Sequence, residues 1–180
     1  MSAMQQANKS EIKRHTQEDW DLHFLEIAKL CSKMSKDPST KVGAAIKGPD
    51  KSVVSTGYNG FPPWIDDKAA DLNHRPTKYS LVIHAEENAL RFAKSRVDTQ
   101  IHGLVGCTIY TTLFPCDRCY KLIKDAGIKR IVTQKPSEDH LKRWGGSWEK
   151  VKNIAKEDDV VIDYVCKCTK FEIYIICKKL

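Results

Sequence analysis

The sequence lacks a long hydrophobic run, because no stretch of its 180 residues approaches the ~20 consecutive apolar residues of a transmembrane helix. Its first fifteen residues are polar and lack the apolar core of a secretory signal. Internal repeats and low-complexity tracts are missing as well, which argues against a repeat protein. We therefore expect a soluble, cytoplasmic protein with residues 1–15 as a disordered tail.

The chain also lacks the cysteine pattern of a disulfide-stabilised secreted domain. Its seven cysteines are an odd number, and two of them, Cys116 and Cys119, stand in a Cys-x-x-Cys pattern typical of metal binding. A chain of this length buries a sizeable core without disulfides, and the usual size of a domain predicts a single domain over residues 16–180.

Acidic residues are in the minority, since 30 lysines and arginines face 23 aspartates and glutamates, for a formal net charge of +7. Such an excess fits an anionic partner, either a nucleotide phosphate or a nucleic acid, but it also fits a solvated surface. The basic residues are spread along the chain rather than gathered in a stripe with aromatic residues. This distribution disfavours nucleic acid as the partner.

A helix is predicted directly after the tail. Thr16 can cap it, with Asp19 as the second half of a capping box. The helix should end before Pro38, because proline disfavours helical geometry in the residue before it. Apolar residues recur at spacings of four and three along it, as on one face of an amphipathic helix, and these are Trp20, Phe24, Ile27, Cys31 and Met34.

The middle of the chain predicts a β-hairpin and a βαβ unit. Residues 42–46 and 52–56 flank a Gly-Pro-Asp turn and form the hairpin. Strand 107–112, a helix beginning at Cys116 and strand 128–133 form the βαβ unit, in which the two strands are parallel. The protein is therefore α/β, with a central mixed sheet and helices on its faces.

The last 45 residues predict a loop at 144–148, a helix at 147–156 and strands at 160–165 and 171–176. Cys166 and Cys168 form a Cys-x-Cys pattern there. They could bind a second metal ion with Cys177, or they could be ordinary small side chains of a strand. The second reading is favoured, because no histidine follows them.

His84, Cys116 and Cys119 are the candidate metal ligands. A neutral imidazole and two thiolates suit zinc, and three protein ligands leave one tetrahedral position for water. Cys116 and Cys119, at i and i+3, project from the first turn of one helix, where the helix dipole favours thiolate. Glu86, two residues after His84, is a candidate acid/base beside the metal.

A closed structural zinc site is the alternative. Its fourth ligand would be Cys107, His102 or His74, and Glu86 would then be an ordinary helix carboxylate. His74 on its own reads as a surface residue of the long loop at 61–78, which is predicted to contain at most one helical turn.

The pattern His-x-Glu followed by Pro-Cys-x-x-Cys resembles the zinc-dependent nucleoside and nucleotide deaminases. Over residues 17–135, neighbouring segments look like the deoxycytidylate (dCMP) deaminase branch of that family. These segments are 35–38 (SKDP), 41–44 (KVGA), 57–60 (GYNG), 77–79 (TKY), 114–119 (FPCDRC) and 126–129 (AGIK).

The resemblance implies a three-layer α/β/α cytidine-deaminase-like fold whose mixed sheet has about five strands. It implies a catalytic core at about 17–135, a C-terminal extension at 136–180, and hydrolysis of dCMP to dUMP and ammonia, which would supply thymidylate synthesis. Other substrates, namely dCTP, cytidine or a base in tRNA or single-stranded nucleic acid, stay open, as does a non-catalytic zinc module. Asn59, Val42, Ala85 and Pro115 are implied to bind substrate.

The resemblance also implies regulation and assembly. Relatives of this branch form oligomers, often hexamers, and many are activated by dCTP with Mg²⁺ and inhibited by dTTP. The segment associated with an effector is Gly57, Tyr58, Asn59 and Gly60, whose glycines on residue chemistry alone would favour a plain turn. Lys78 and Arg118 are candidates for binding the substrate phosphate.

Overall fold

A computed structural model describes residues 14–62, 64–65, 74–96, 103–168 and 173–177. Most of the predicted tail lies outside these residues, and so do His102 and the side chains of Cys168 and Cys177. None of the described helices is long and apolar enough to cross a membrane. The elements, in chain order, are α1 (Gln17–Ser32), β1 (Gly43–Lys47), β2 (Val53–Tyr58), α2 (Arg75–Leu81), α3 (Ala85–Arg96), β3 (Thr108–Thr111), α4 (Asp117–Asp125), β4 (Arg130–Gln134), α5 (Glu138–Glu157), β5 (Val161–Cys168) and β6 (Ile173–Cys177).

The strands form one mixed sheet in the order β2-β1-β3-β4-β5-β6. Antiparallel pairs join β2 to β1 and β1 to β3, and parallel pairs join β3, β4 and β5. The predicted hairpin and βαβ unit are therefore confirmed. The described residues contain six strands rather than about five, because β6 pairs antiparallel with β5 and extends the sheet at that edge.

Helices cover both faces of the sheet, because successive strand residues point to opposite sides. Ala44, Ile46 and Ile109 pack on the side of α3, α4 and α5. Their strand neighbours Ala45 and Tyr110 pack against α1. This arrangement confirms the predicted three-layer α/β/α fold.

The start of α1 is confirmed, its predicted apolar face is confirmed in part, and its predicted end is corrected. Thr16 and Asp19 form the capping box. The helix ends at Ser32, several residues before Pro38, and Met34 lies beyond it with 64% of its surface exposed. The face that meets the sheet consists of Asp21, Phe24, Leu25 and Ala28. Trp20 and Ile27, two members of the predicted face, are partly buried against the same core cluster as Phe24. The apolar pattern therefore gave part of the face but missed the buried Asp21, because a charged residue gives no apolar signal.

The helix of the C-terminal extension begins nine residues earlier than predicted. Ser137 caps α5 by accepting a hydrogen bond from the His140 N–H, 3.4 Å away. Gly145 and Gly146 lie inside the helix, where a Cβ atom would meet nothing within 4 Å. Glycines usually weaken a helix, but here the Ser137 cap and the buried packing of later turns outweigh that preference.

A buried ionic cluster ties α1 to the sheet. The Arg130 guanidinium donates to both Asp21 carboxylate oxygens at 2.7 Å, and its Nε donates to Asp163 Oδ2 at 2.9 Å. The Tyr110 hydroxyl donates to Asp21 Oδ1 at 2.7 Å. Burial disfavours the Asp21 charge, but the hydrogen bonds from Arg130, Tyr110 and Gln17 still keep the pKa of Asp21 below its ordinary value.

We predict that Asp21→Asn lowers the free energy of unfolding by about 3 kcal/mol at neutral pH, because it leaves a partly buried guanidinium poorly paired. Since the folded state depresses the Asp21 pKa, this stability is present above the ordinary carboxylate pKa and is lost as pH falls through the depressed one. Urea denaturation at pH 7 and at steps below pH 5 measures the difference.

The matched control is Asp139→Asn, which removes an exposed carboxylate from the first turn of α5. It should cost less than about 1 kcal/mol. Equal losses in the two variants, or a wild-type advantage over Asp21→Asn that persists unchanged into acid, would contradict the assigned role of the cluster.

Candidate metal centre

A short backbone bridge fixes the position of His84. The Gly60 N–H donates to Ile83 O at 3.1 Å, and the Ile83 N–H donates to Gly60 O at 2.9 Å, which joins the residue before His84 to the chain just after β2. Helix α3 begins directly after His84, and His84 O accepts the Asn88 N–H at 3.0 Å. His84 therefore stands at a helix N-terminus.

The second pair of candidate ligands stands at the start of α4. Cys116 is the N-cap residue, and its carbonyl accepts the Tyr120 N–H at 2.8 Å. Cys119 is fully buried one turn later, and Pro115 before the helix is also buried. The two thiols share the first turn of one helix, as the i, i+3 spacing predicted.

His84, Cys116 and Cys119 come together, and their ligand atoms all lie within 4.8 Å of one another. His84 Nδ1 is 3.6 Å from Cys116 Sγ and 3.3 Å from Cys119 Sγ. Tetrahedral zinc with bonds of about 2.3 Å to sulfur and about 2.0 Å to nitrogen places such atoms about 3.5 Å apart. The donor set and its spacing therefore fit zinc.

Within the part of the chain that the structure describes, these three residues are the only group of three or more possible ligands that could hold a metal ion. Cys107 and His74, two of the candidate fourth ligands, do not join it. His74 is the exposed N-cap residue of α2, and Cys107 lies just before β3. Three ligands with one free position are typical of a catalytic zinc site.

Glu86 lies beside the ligands on the first turn of α3. Its Oε2 is 3.6 Å from Cys119 Sγ, and only 4% of the residue is exposed. Burial raises the pKa of Glu86 above its ordinary value, although the nearby His84 opposes this shift. A buried carboxylate at this distance can exchange protons with a molecule in the free metal position without being a ligand itself.

The two sulfurs differ in their affinity for a proton. The hydrogen bond from Cys119, with another from His84, lowers the pKa of Cys116 to about 4 although burial opposes it. The same hydrogen bond, together with burial, raises the pKa of Cys119. The pair thus holds one thiolate, and a bound cation favours loss of the second proton.

Asn59 lies at the end of β2 and is buried, with 6% exposed. Its Oδ1 accepts the Val42 N–H at 2.8 Å, and its Nδ2 donates to Thr40 O at 2.9 Å. Its backbone N–H donates to Val42 O at 3.1 Å. Asn59 therefore holds the segment before β1 in place, and its role in binding substrate stays a prediction.

The segment from Gly57 to Gly60 contains both closely packed residues and an exposed side chain. A Cβ on Gly57 would lie 2.4 Å from Ala85 O, so the missing side chain admits the backbone of α3. The effector role that the resemblance implies for Gly57 stays a prediction. Gly60 belongs to the bridge with Ile83. Tyr58 is 40% exposed and is the member of this segment whose side chain faces outward.

The two candidate phosphate-binding residues already have partners in the protein. Lys78 is buried in an ion pair with Asp37, with Nζ 2.7 Å from Asp37 Oδ2. Arg118 forms an ion pair with Glu87, but its side chain is 60% exposed. The Glu87 carboxylate also accepts from Arg91 at 2.7 Å.

Fold and cluster together define an α/β protein with three convergent metal ligands and an adjacent carboxylate. A family model described as the cytidine and deoxycytidylate deaminase zinc-binding region matches residues 18–135. The chain therefore belongs to the cytidine and deoxycytidylate deaminase family, and the resemblance that the sequence motifs indicated is confirmed.

Relatives with substantial identity include an uncharacterized deaminase in the luxG 3' region of Aliivibrio fischeri, 42% identical over 70% of this chain and 80% of that protein. Deoxycytidylate deaminase of Mus musculus is 39% identical over 67% of each chain. Deoxycytidylate deaminase of Mycobacterium phage D29 is 36% identical over 66% of this chain and 97% of that protein.

Solved structures share the fold at lower identity. The dCMP deaminase of cyanophage S-TIM5 superposes with a TM-score of 0.61 at 21% identity, covering 83% of this chain and 99% of that chain. Guanine deaminase of Nitrosomonas europaea gives a TM-score of 0.52 at 16% identity, covering 84% and 78%. Since deaminases of different substrates share it, the fold by itself does not select the substrate.

Two ion-pair contacts were not predicted from the sequence. Asp37 pairs with Lys78, although both residues stand in segments that carry the family resemblance. Glu87, next to Glu86, pairs with both Arg91 and Arg118. A hydrophobic pattern gives no signal for either contact. The Asp37–Lys78 pair could have been suspected from the general rule that lysine and aspartate are seldom buried without a partner.

We predict that Cys116→Ser reduces bound zinc far below the about one ion per chain expected of the native protein, because a hydroxyl is a poorer ligand than a thiolate. Elemental analysis of purified protein measures the ratio. The matched control is Cys107→Ser, which alters a buried cysteine outside the ligand cluster and should leave the zinc content unchanged. Full zinc occupancy in Cys116→Ser would exclude this residue as a ligand.

Proposed function

We propose that this protein hydrolyses dCMP to dUMP and ammonia at a zinc site formed by His84, Cys116 and Cys119. The observation that carries the proposal is the three-ligand cluster with Glu86 beside it. The substrate follows from relatives that are 38–39% identical over two thirds of the chain and are named deoxycytidylate deaminases. The net charge of +7 suits an anionic nucleotide.

Zinc, when held by these three side chains, supplies a Lewis acid that lowers the pKa of a water molecule. Glu86 would take a proton from the attacking water at a carboxylate oxygen and pass it to N3 of the cytosine ring, as the water oxygen bonds to C4. It would then take the remaining proton of the added hydroxyl group and deliver it to the amino group, so that the C4–N bond breaks and ammonia leaves. Burial of Glu86 keeps bulk water from competing for these protons.

The predicted substrate contacts support the same assignment. Ala85 begins α3 and Pro115 precedes α4, so both stand next in sequence to metal ligands. Val42 and Asn59 are joined by paired hydrogen bonds where β1 begins and β2 ends. We propose that the base lies between these segments, with its amino group directed towards the metal ligands and Glu86.

The substrate is tested by loss of ultraviolet absorbance with dCMP, dCTP, deoxycytidine and a cytosine-containing oligonucleotide offered separately. We expect dCMP to have a higher kcat/KM than deoxycytidine and the oligonucleotide, because the net positive charge favours an anionic substrate and the sequence has no dense basic stripe for a nucleic acid. Conversion of the oligonucleotide alone would overturn the proposal and assign a nucleic-acid base as substrate.

We predict that Glu86→Gln retains zinc and loses about a thousandfold or more in kcat, because glutamine cannot move the protons. Measuring zinc content and single-turnover rate on the same preparation separates loss of the proton carrier from loss of the metal. Appreciable turnover with zinc retained would remove Glu86 from this role.

The control for this variant is Glu87→Gln, which changes the neighbouring carboxylate whose oxygens are taken by Arg91 and Arg118. It should stay within about tenfold of the native kcat, since its ion partners are exposed and contribute little. A collapse of kcat equal to that of Glu86→Gln would show that the effect is not specific to Glu86.

We also propose, from the family resemblance, that the enzyme is a cytoplasmic homo-oligomer, by analogy a hexamer, whose dUMP supplies thymidylate synthesis. Regulation by dCTP with Mg²⁺ and by dTTP belongs to the same proposal. The outward-facing Tyr58, in the segment formed with Gly57, Asn59 and Gly60, is the side chain placed to meet such an effector. Adding dCTP or dTTP to the dCMP assay tests this regulation.

A further inference from the structure

Asp37 and Lys78 form a buried ion pair outside the metal cluster. Lys78 Nζ lies 2.8 Å from Asp37 Oδ1 and 2.7 Å from Asp37 Oδ2, and it donates to Ser39 Oγ at 2.7 Å. The side chains are only 11% and 6% exposed. The ammonium group of Lys78 therefore binds the segment that precedes β1.

Asp37 organises that segment. Its Oδ1 accepts the backbone N–H groups of Ser39 at 2.8 Å and Thr40 at 2.9 Å, and the Ser39 hydroxyl at 2.9 Å. A carboxylate that accepts its own chain's N–H groups two and three residues later forms a compact turn. Residues 37–40 thus form one unit, which Lys78 connects to α2.

Asn59 holds the same unit from the other side. Its Nδ2 donates to Thr40 O at 2.9 Å and lies 3.4 Å from Asp37 Oδ2, while its Oδ1 accepts the Val42 N–H at 2.8 Å. Residues 37–42 are therefore fixed between α2 and the end of β2. This segment includes Val42, one of the proposed substrate contacts.

Lys78 and Asn59, which hold residues 37–42, are also connected to the chain that precedes His84. Lys78 O accepts the Val82 N–H at 2.9 Å at the end of α2, and Ile83 then pairs with Gly60, the residue after Asn59. Residues 37–40 are thus connected, through Lys78 and Asn59, to the chain that leads into His84. They are also followed directly by the segment that contains Val42.

A buried ion pair is poorly explained by stability alone, because well-packed apolar residues often stabilise a fold equally well. What an ion pair adds is directional, hydrogen-bonded geometry. Here that geometry joins residues 37–42 to the chain leading into His84.

We propose that Asp37 and Lys78 are positioning residues, which set the location of the substrate-facing segment 37–42 relative to His84 without touching the reacting atoms. The kinetic consequence rests on the proposed function, but the structural consequence does not. Lys78 accordingly acts through Asp37 rather than as a ligand of the substrate phosphate.

The first test is Lys78→Met, which keeps the length and apolar stem of the side chain and removes its charge. Hydrogen–deuterium exchange of the Ser39, Thr40 and Val42 amides should accelerate, while exchange in β4 stays unchanged. The KM for dCMP should rise by about tenfold or more, with a smaller change in kcat and with zinc retained.

The matched control is Lys152→Met, the same substitution in the Lys152–Glu149 pair on α5, whose atoms are 3.5 Å apart and whose glutamate is 66% exposed. It should change neither the exchange of residues 37–42 nor the KM. Deoxycytidine, used as a competitive inhibitor, separates positioning from phosphate binding. Lys78→Met should weaken deoxycytidine and dCMP to a similar degree, whereas weakening of dCMP alone would overturn the proposal.

The double variant Asp37→Asn with Lys78→Met separates positioning from simple stabilisation. Removing both charges should restore much of the thermal stability that Asp37→Asn alone loses, because no buried charge is left unpaired. The KM should nevertheless stay raised, since the connection between residues 37–40 and α2 is still missing. Recovery of KM together with stability would reduce the pair to a structural role and overturn the proposal.

Unchanged exchange at residues 37–42 in Lys78→Met would also overturn it, whatever the kinetics show. If the native protein fails to convert dCMP, the proposed function fails, and the exchange measurement alone decides on the positioning role. The two proposals can therefore fail independently.

Discussion

The meeting of two helix N-termini is the constraint on which the rest of this structure depends. Helix α3 begins directly after His84 and helix α4 directly after Cys116, and their ligand atoms converge within 4.8 Å. Each helix start presents backbone N–H groups and the positive end of its dipole, which favours thiolate and carboxylate groups there. The ligand cluster and Glu86 are built from these two first turns, so the orientation of two helices decides the chemistry.

The sheet supplies that orientation. Strand β1 lies between β2 and β3, and α3 packs so closely on β2 that only a glycine fits at position 57. The bridge between Gly60 and Ile83 then sets where α3 begins. On the other face, the Asp21–Arg130–Asp163 cluster joins α1 to β4 and β5. Polar contacts thus hold α1 and the start of α3 in position, while apolar packing fills the core between the helices and the sheet.

The features that determine the fold differ from those that determine the substrate. Guanine deaminase of Nitrosomonas europaea and the dCMP deaminase of cyanophage S-TIM5 both share this architecture. Selection among bases must then come from side chains outside the shared fold, and under the proposed function residues 37–42 and the end of β2 contribute to it. Their arrangement depends on Asp37, Asn59 and Lys78, side chains whose hydrogen bonds join positions distant in sequence.

The sequence by itself predicted the candidate ligands, Glu86 and a mixed sheet with helices on its faces, because these appear as motifs and local hydrophobic patterns, and the resemblance to the deaminases added the three-layer arrangement. The i, i+3 cysteines, the capping box at Thr16 and the βαβ unit are local patterns, and each was predicted. Only the tertiary structure decided that Asp21 belongs to the buried face of α1, that α5 continues through Gly145 and Gly146, and that Lys78 pairs with Asp37. Those outcomes depend on contacts between residues far apart in the chain. The energies of these contacts outweigh local conformational preferences, and the contacts produce no periodic pattern in the sequence.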